Sequence, residues 1–178
     1  MKTSFKVSFG GVIGALSLVL MLLTSVIPFG TYAFPAFAGM LLISVVIELG
    51  FSWAFVVYTV VSLLSMLLLT DKEAALYYVF FLGFYPIIKC FIERISLKSV
   101  QYLIKFLLFN VCMVVVFYIS IYLFSIPKES FSIFSVYLPW VFLLLGNFVF
   151  LIYDYCVSKV VTIYLVKIHK LLSNKTKL

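Results

Sequence analysis

The chain has 178 residues, of which 66% are hydrophobic and only 11% are charged. A soluble domain is about half apolar and about a quarter charged, so a soluble fold of this length could not bury so much apolar surface. The sequence therefore predicts an all-α, polytopic membrane protein with a single transmembrane domain. The formal net charge of +7 does not indicate nucleic acid as a partner. The basic residues lie at the ends of apolar segments, where they set topology and meet anionic lipid headgroups.

Six apolar segments approach the length of about 20 residues that a spanning helix needs. We predict them at about 7–27, 33–49, 52–70, 71–92, 101–125 and 138–158, followed by a basic tail over 159–178. A cleaved signal peptide is the alternative for the first segment, because Ala36 and Ala38 resemble a cleavage site. The run over 33–70 would span roughly 57 Å as one helix, so it must fold back. Glu48 and Gly50 predict that hairpin, since Gly commonly follows a helix end.

The distribution of Lys and Arg predicts the orientation of the six segments. With the N-terminus in the cytoplasm, all but Lys72 and Lys128 of the 13 basic residues fall on the cytoplasmic side. Basic residues are enriched in cytoplasmic loops, so both termini are expected inside and the protein in the plasma membrane. The two ends of the bundle are called inner and outer after this prediction.

The fourth segment carries two local signals. Thr70 followed three residues later by Glu73 matches a capping box, which predicts Thr70 as the N-cap of the helix. Pro86 lies inside the same apolar run and has no backbone N–H. We therefore expect a kink at Pro86 that frees the carbonyl of Leu82, one turn earlier.

Four polar side chains interrupt the apolar segments toward the inner end: Glu48, Lys89, Asn110 and Asp154. They lie roughly 22–27 Å from the outer ends of their helices at the α-helical rise. Charged groups at such depth face the bundle and pair with one another. We expect an inner polar layer in which Lys89 pairs with Glu48 or Asp154 and Asn110 is a hydrogen-bond partner. The alternative is that these residues only end helices, with the Lys89 ammonium reaching to water.

The outer end combines acidic and aromatic residues. Asp71 and Glu73 precede Tyr77 and Tyr78 on the fourth segment, and Trp140 opens the sixth. Charged groups beside aromatic walls suit a pocket for a small, flat, polar ligand. The alternative is a helix cap next to a belt of interfacial aromatic residues.

Small residues mark one face of the first segment. Gly11 and Ala15 form a small-xxx-small pair, which permits close approach of another helix, either within the bundle or from a second membrane subunit. No hydrolase, metalloprotease or phosphate-loop motif occurs, so the sequence predicts no enzyme and no cofactor. A metal site is not expected either, because the only histidine, His169, lies in the basic tail.

These features resemble a known family of membrane subunits. The length, six segments, inner termini and small residues from Gly11 to Ala15 are similar to the substrate-binding S components of energy-coupling factor vitamin transporters. The chain also looks like a group of uncharacterised bacterial membrane proteins that carry DKEAA and GFYPIIK, here Asp71 to Ala75 and Gly83 to Lys89.

The resemblance to S components implies a function and partners. It implies that the first helix docks through Gly11 and Ala15 on a transmembrane coupling subunit driven by two ATPases, and that a vitamin-like molecule binds near the outer end. It leaves the ligand open. The alternatives are a non-transporting scaffold or accessory subunit of a cell-envelope complex, with the inner polar layer and basic tail as its docking surface, and a complete small channel or enzyme.

Overall fold

The computed structural model of the protein describes residues 3–27, 30–123, 132–133, 136–137 and 139–169. The helices in chain order are α1 (Thr3–Leu23), α2 (Ala33–Leu49), α3 (Phe51–Leu68), α4 (Lys72–Tyr77), α5 (Tyr85–Ile92), α6 (Lys98–Tyr122) and α7 (Pro139–Ile163). Two π-helical segments continue these helices: Tyr78–Leu82 follows α4 and leads toward α5, and Tyr164–His169 follows α7. Two strands of two residues each, β1 (Ser132–Ile133) and β2 (Val136–Tyr137), pair antiparallel before α7.

Within the described ranges, five helical stretches are long and apolar enough to cross a membrane: Thr3–Leu23, Phe51–Leu68, Lys72–Ile92, Lys98–Tyr122 and Leu143–Lys167. The apolar α2, with 17 residues, is shorter, at the lower end of the about 17–25 residues that span a bilayer. The prediction of an all-α, multi-pass membrane protein is thus confirmed. α2 has the predicted bounds, whereas α1 and α6 begin earlier than expected and the last helix runs on into the basic tail. Helical hydrogen bonding continues through polar residues beyond the apolar runs, so hydropathy alone misplaces helix ends.

The turn between α2 and α3 forms at the predicted glycine. Gly50 has a φ of 90°, a conformation that Gly adopts without the steric cost of a Cβ. Its N–H donates to the carbonyl of Val46 at 3.1 Å and so closes the last turn of α2. Gly50 is also the residue before α3, so the two helices are joined by a single residue.

The predicted cap of the fourth segment is wrong by one residue. Asp71, not Thr70, is the N-cap of α4, and its carboxylate accepts a hydrogen bond from the N–H of Ala74 at 3.0 Å. Asp is as good an N-cap as Thr, so both registers fit the sequence. The capping-box role expected of Glu73 does not occur, because its carboxylate instead accepts hydrogen bonds from two tyrosines.

The core consists of two hydrophobic clusters that meet at α2 and the Tyr78–Leu82 segment. One cluster lies mainly among α1 to α4, with Tyr78 of the π segment and Ile87 of α5, and includes Met21, Leu42 and Val57. The other lies among α2, the π segment, α5, α6 and α7, and it is mostly aromatic. Its central ring, Phe81, lies within 4.8–5.6 Å of the ring centroids of Tyr85, Phe109 and Phe150. The stretch from Lys72 to Ile92 is accordingly the most buried of the candidate spans, with 56% of its most apolar window buried.

Candidate functional site

A cluster of charges joins α5, α6 and α7 at the inner end of the bundle. The ammonium of Lys89 contacts the carboxylate of Asp154 and donates to the backbone carbonyl of Asp154 at 2.6 Å and to the hydroxyl of Ser158 at 2.7 Å. The ammonium of Lys105 lies 3.1 and 3.2 Å from the two oxygens of the same carboxylate. The hydroxyl of Tyr85 also donates to Asp154. The Asp154 carboxylate on α7 thus receives hydrogen bonds from two other helices, α5 and α6.

The fourth charge of this cluster connects it to the surface. The carboxylate of Glu93 lies 2.8 Å from the ammonium of Lys105 and 3.4 Å from that of Lys89. The Glu93 side chain is 43% exposed, whereas the two lysine side chains are 3% and 4% exposed. The group of Lys89, Lys105, Glu93 and Asp154, called the inner charge cluster below, is balanced in charge and has one solvated member.

The predicted inner layer is only partly present. Lys89 pairs with Asp154 as expected, but the other two residues take separate partners. Asn110 exchanges two amide hydrogen bonds of 3.0 Å with Asn147. Asn147 precedes Asp154 by seven residues on α7, a helical rise of about 10 Å. Glu48 accepts a hydrogen bond from the Tyr164 hydroxyl at 3.2 Å.

The four residues do not form one layer, because the depth of a residue along its helix and the direction of its side chain are independent. Distance along a helix gives the depth of a residue, but the face on which its side chain lies depends on the rotation of the helix in the bundle. Lys105 and Asn147 were missed for a different reason. Each lies inside an apolar segment, and intramembrane polar residues are functional or pairing candidates by default. The signal was therefore present in the sequence.

A second polar cluster lies at the outer end, where the turn before α2 meets α4. The hydroxyl of Thr31 donates to the Asp71 carboxylate at 2.9 Å. The Glu73 carboxylate accepts from the hydroxyls of Tyr32 at 3.1 Å and Tyr77 at 3.2 Å, and the two rings lie 5.0 Å apart. These five residues are called the outer cluster below. Within it, both carboxylates receive hydrogen bonds from hydroxyl groups.

Tyr32 is a hydrogen-bond donor in the outer cluster. Its hydroxyl donates to Glu73, and the residue as a whole is half-exposed. Desolvation and the Glu73 charge raise the pKa of Tyr32 above its ordinary value. The neighbouring Lys72 points away, because its ammonium donates to the carbonyl of Met66 at the end of α3, 2.8 Å away.

One residue expected at an outer pocket, Tyr78, does not contribute to the outer cluster, and the side chain of another, Trp140, is not described. Tyr78 is fully buried in the core, where its ring packs 6.0 Å from that of Tyr58. Tyr78 directly follows Tyr77, so its side chain projects about 100° further around the helix. Trp140 lies in the first turn of α7, and its side chain is outside the described part of the chain.

The small residues of α1 face two directions. A Cβ on Gly10 or Gly14 would lie 3.2 or 3.4 Å from Val57, so these two glycines let α1 pack closely on α3. Gly11 has open space at the same position, and Ala15 is exposed. Both line an apolar groove of about 400 Å³ between α1 and α3, called the α1–α3 groove below.

Comparison of the chain with protein-family models, with curated proteins and with solved structures finds no match. Within the described ranges, no group of three His, Cys, Asp or Glu side chains is placed to hold a metal ion.

Proposed function

We propose that the chain is the small-molecule-binding membrane subunit of an energy-coupling factor type transporter in the plasma membrane. The single observation that carries the proposal is the α1–α3 groove with Gly11 and Ala15 in its wall. Lipid tails are as apolar as the groove, so burial from water gives no force to fill it. A partner helix seated between small residues gains van der Waals contact that a flexible acyl chain gives less well.

The ligand of this subunit would bind at the outer cluster. Glu73 is held there by the hydroxyls of Tyr32 and Tyr77, which a ligand with a hydrogen-bond donor can replace. The two tyrosine rings offer an apolar wall beside that carboxylate. The inner charge cluster has no part in ligand binding under this proposal. It holds α5, α6 and α7 together beneath the site.

Docking is tested by a bulky substitution in the groove with a matched control on the same helix. Gly11→Phe fills the groove, whereas Val12→Phe adds a similar ring at an exposed position that does not line it. We expect tagged wild type and Val12→Phe to retain a transmembrane subunit and two ATPases from native membranes in mild detergent, and Gly11→Phe to lose them. Equal recovery with both variants would contradict docking through the groove.

Ligand binding is tested separately with purified protein. A thermal-shift screen against vitamins and related metabolites should yield a compound that raises the midpoint temperature of unfolding of the wild type but not that of Glu73→Ala. A ligand present at 100 times its Kd stabilises the folded protein by about 2.7 kcal/mol, so a midpoint shift is measurable. A compound that stabilises both proteins equally would bind elsewhere.

The second candidate is a non-transporting accessory subunit of a cell-envelope complex. It is favoured by the outer cluster, whose acidic and aromatic groups already bind one another. This candidate predicts recovery of a membrane partner without ATPases and no stabilising compound in the screen. The two tests above therefore separate the candidates.

A further inference from the structure

The π-helical segment Tyr78–Leu82 lies between the two polar clusters on one continuous stretch of chain. The outer cluster includes Asp71 and Glu73 before this segment, and the inner charge cluster includes Lys89 and Glu93 after it. A π turn bonds residue i to residue i−5 and so contains one residue more than an α turn. The N–H of Gly83 donates in this way to the carbonyl of Tyr78 at 2.8 Å.

Side chains of two neighbouring helices hold the backbone of this segment. The hydroxyl of Tyr58 on α3 donates to the carbonyl of Val79, and that of Tyr153 on α7 donates to the carbonyl of Leu82 at 3.0 Å. Leu82 is the residue whose helical partner is removed by Pro86, so the freed carbonyl predicted from the sequence is present and occupied. Such side-chain bonds can exchange without unfolding the helix.

Four buried hydroxyls have no hydrogen-bond partner among the described residues, and one of them belongs to this segment. It is the hydroxyl of Tyr78, the first residue of the π segment, which is fully buried. A buried hydroxyl without a partner disfavours the conformation that contains it. The segment could instead become α-helical if its extra residue were taken up by the turn at Gly83 and Phe84. The part of the helix on the outer side would then rotate by about 100° and shift by about 1.5 Å along its axis. That motion would give the Tyr78 hydroxyl new neighbours.

We propose that the Tyr78–Leu82 segment is a two-state joint that couples the outer cluster to the inner charge cluster by a one-residue change of helical register. A change in the contacts of Glu73 biases the register. The new register moves the Leu82 carbonyl that Tyr153 holds, and Tyr153 directly precedes Asp154, so the contact of Asp154 with Lys89 changes as well. The joint depends on the helix and its two supporting tyrosines. It requires neither a ligand nor a transporter partner, so it can be tested apart from the proposed function.

Cys90, the partly buried neighbour of Lys89, serves as a reporter of the inner end. In a full-length protein carrying Cys112→Ser and Cys156→Ser, the rate of Cys90 modification by N-ethylmaleimide is measured in detergent. Glu73→Ala removes the acceptor of both outer tyrosines, and we expect it to change this rate by about fivefold or more, the range of typical allosteric coupling. Tyr118→Phe, an exposed site on α6, is the control and should leave the rate unchanged. An unchanged rate in a folded Glu73→Ala protein would overturn the proposal.

The role of the π segment itself is tested by removing its extra residue. Deletion of Phe80 restores α-helical bonding, and Glu73→Ala should then alter the Cys90 rate by less than about twofold, the scatter of independent sites. The same large change in both backgrounds would show that the signal bypasses the joint. If the deletion protein does not fold, Tyr58→Phe replaces it, because it releases one support of the segment. In the double variant, the change in the Cys90 modification rate should then differ from the product of the changes in the two single variants, Tyr58→Phe and Glu73→Ala. A change equal to that product would refute the coupling.

Discussion

The charge balance of the inner cluster gives the sharpest test of the structure. Asp154→Asn keeps the shape of the side chain but removes the negative charge that faces Lys89 and Lys105. Only the half-exposed carboxylate of Glu93 then remains for two buried ammonium groups. Removing one partner of a buried pair costs about 3–5 kcal/mol. Since Glu93 still offsets one charge, we expect the lower end, a loss of about 3 kcal/mol.

The measurement is the free energy of unfolding in mixed micelles, followed by circular dichroism as a denaturing detergent is added. Adding Lys89→Met to Asp154→Asn leaves one ammonium, Lys105, with one carboxylate, Glu93. This double variant should regain about 2 kcal/mol over Asp154→Asn alone, within the range of interaction energies for contacting residues. The matched control is Glu93→Gln, which should lose only about 1 kcal/mol because that carboxylate is half-exposed and its ion pairs are screened by solvent. A loss below about 1 kcal/mol for Asp154→Asn, or no recovery in the double variant, would refute the view that the cluster stabilises by charge balance.

Two further substitutions test close packing and a buried amide pair. Gly39→Ala would place a Cβ 2.0 Å from the Leu82 carbonyl oxygen. We therefore expect overpacking to lower the free energy of unfolding by about 1–3 kcal/mol. Gly11→Ala, which has open space at the Cβ, is the control and should leave the stability unchanged. Asn147→Leu should cost about 0.6–2 kcal/mol, because interhelical hydrogen bonds in membranes are worth that much and Asn110 loses its partner. Both losses are read from the same detergent titration. Equal stability of the two glycine variants, or a neutral Asn147→Leu, would contradict the respective contact.

Local backbone structure was predictable from the sequence where a single residue determines it. Gly50 ends α2 as expected, and Pro86 frees the Leu82 carbonyl as expected. The hydroxyl that donates to this carbonyl, on Tyr153, was not predictable, because it belongs to a helix 71 residues further along the chain. The N-cap was misplaced from Asp71 to Thr70, since two adjacent residues could serve equally well.

The sequence by itself determined the membrane class, the number of apolar segments and the residues that had to avoid lipid. These follow from hydropathy and segment length, which are properties of the chain alone. Only the tertiary structure decided which polar residues meet. Lys89 reaches Asp154 because α5 and α7 turn those faces toward each other, while Asn110 and Glu48 are turned toward other partners. The tertiary structure likewise turned Tyr78 into the core and left Gly11 in an open groove, because helix rotation is set by packing among all the helices.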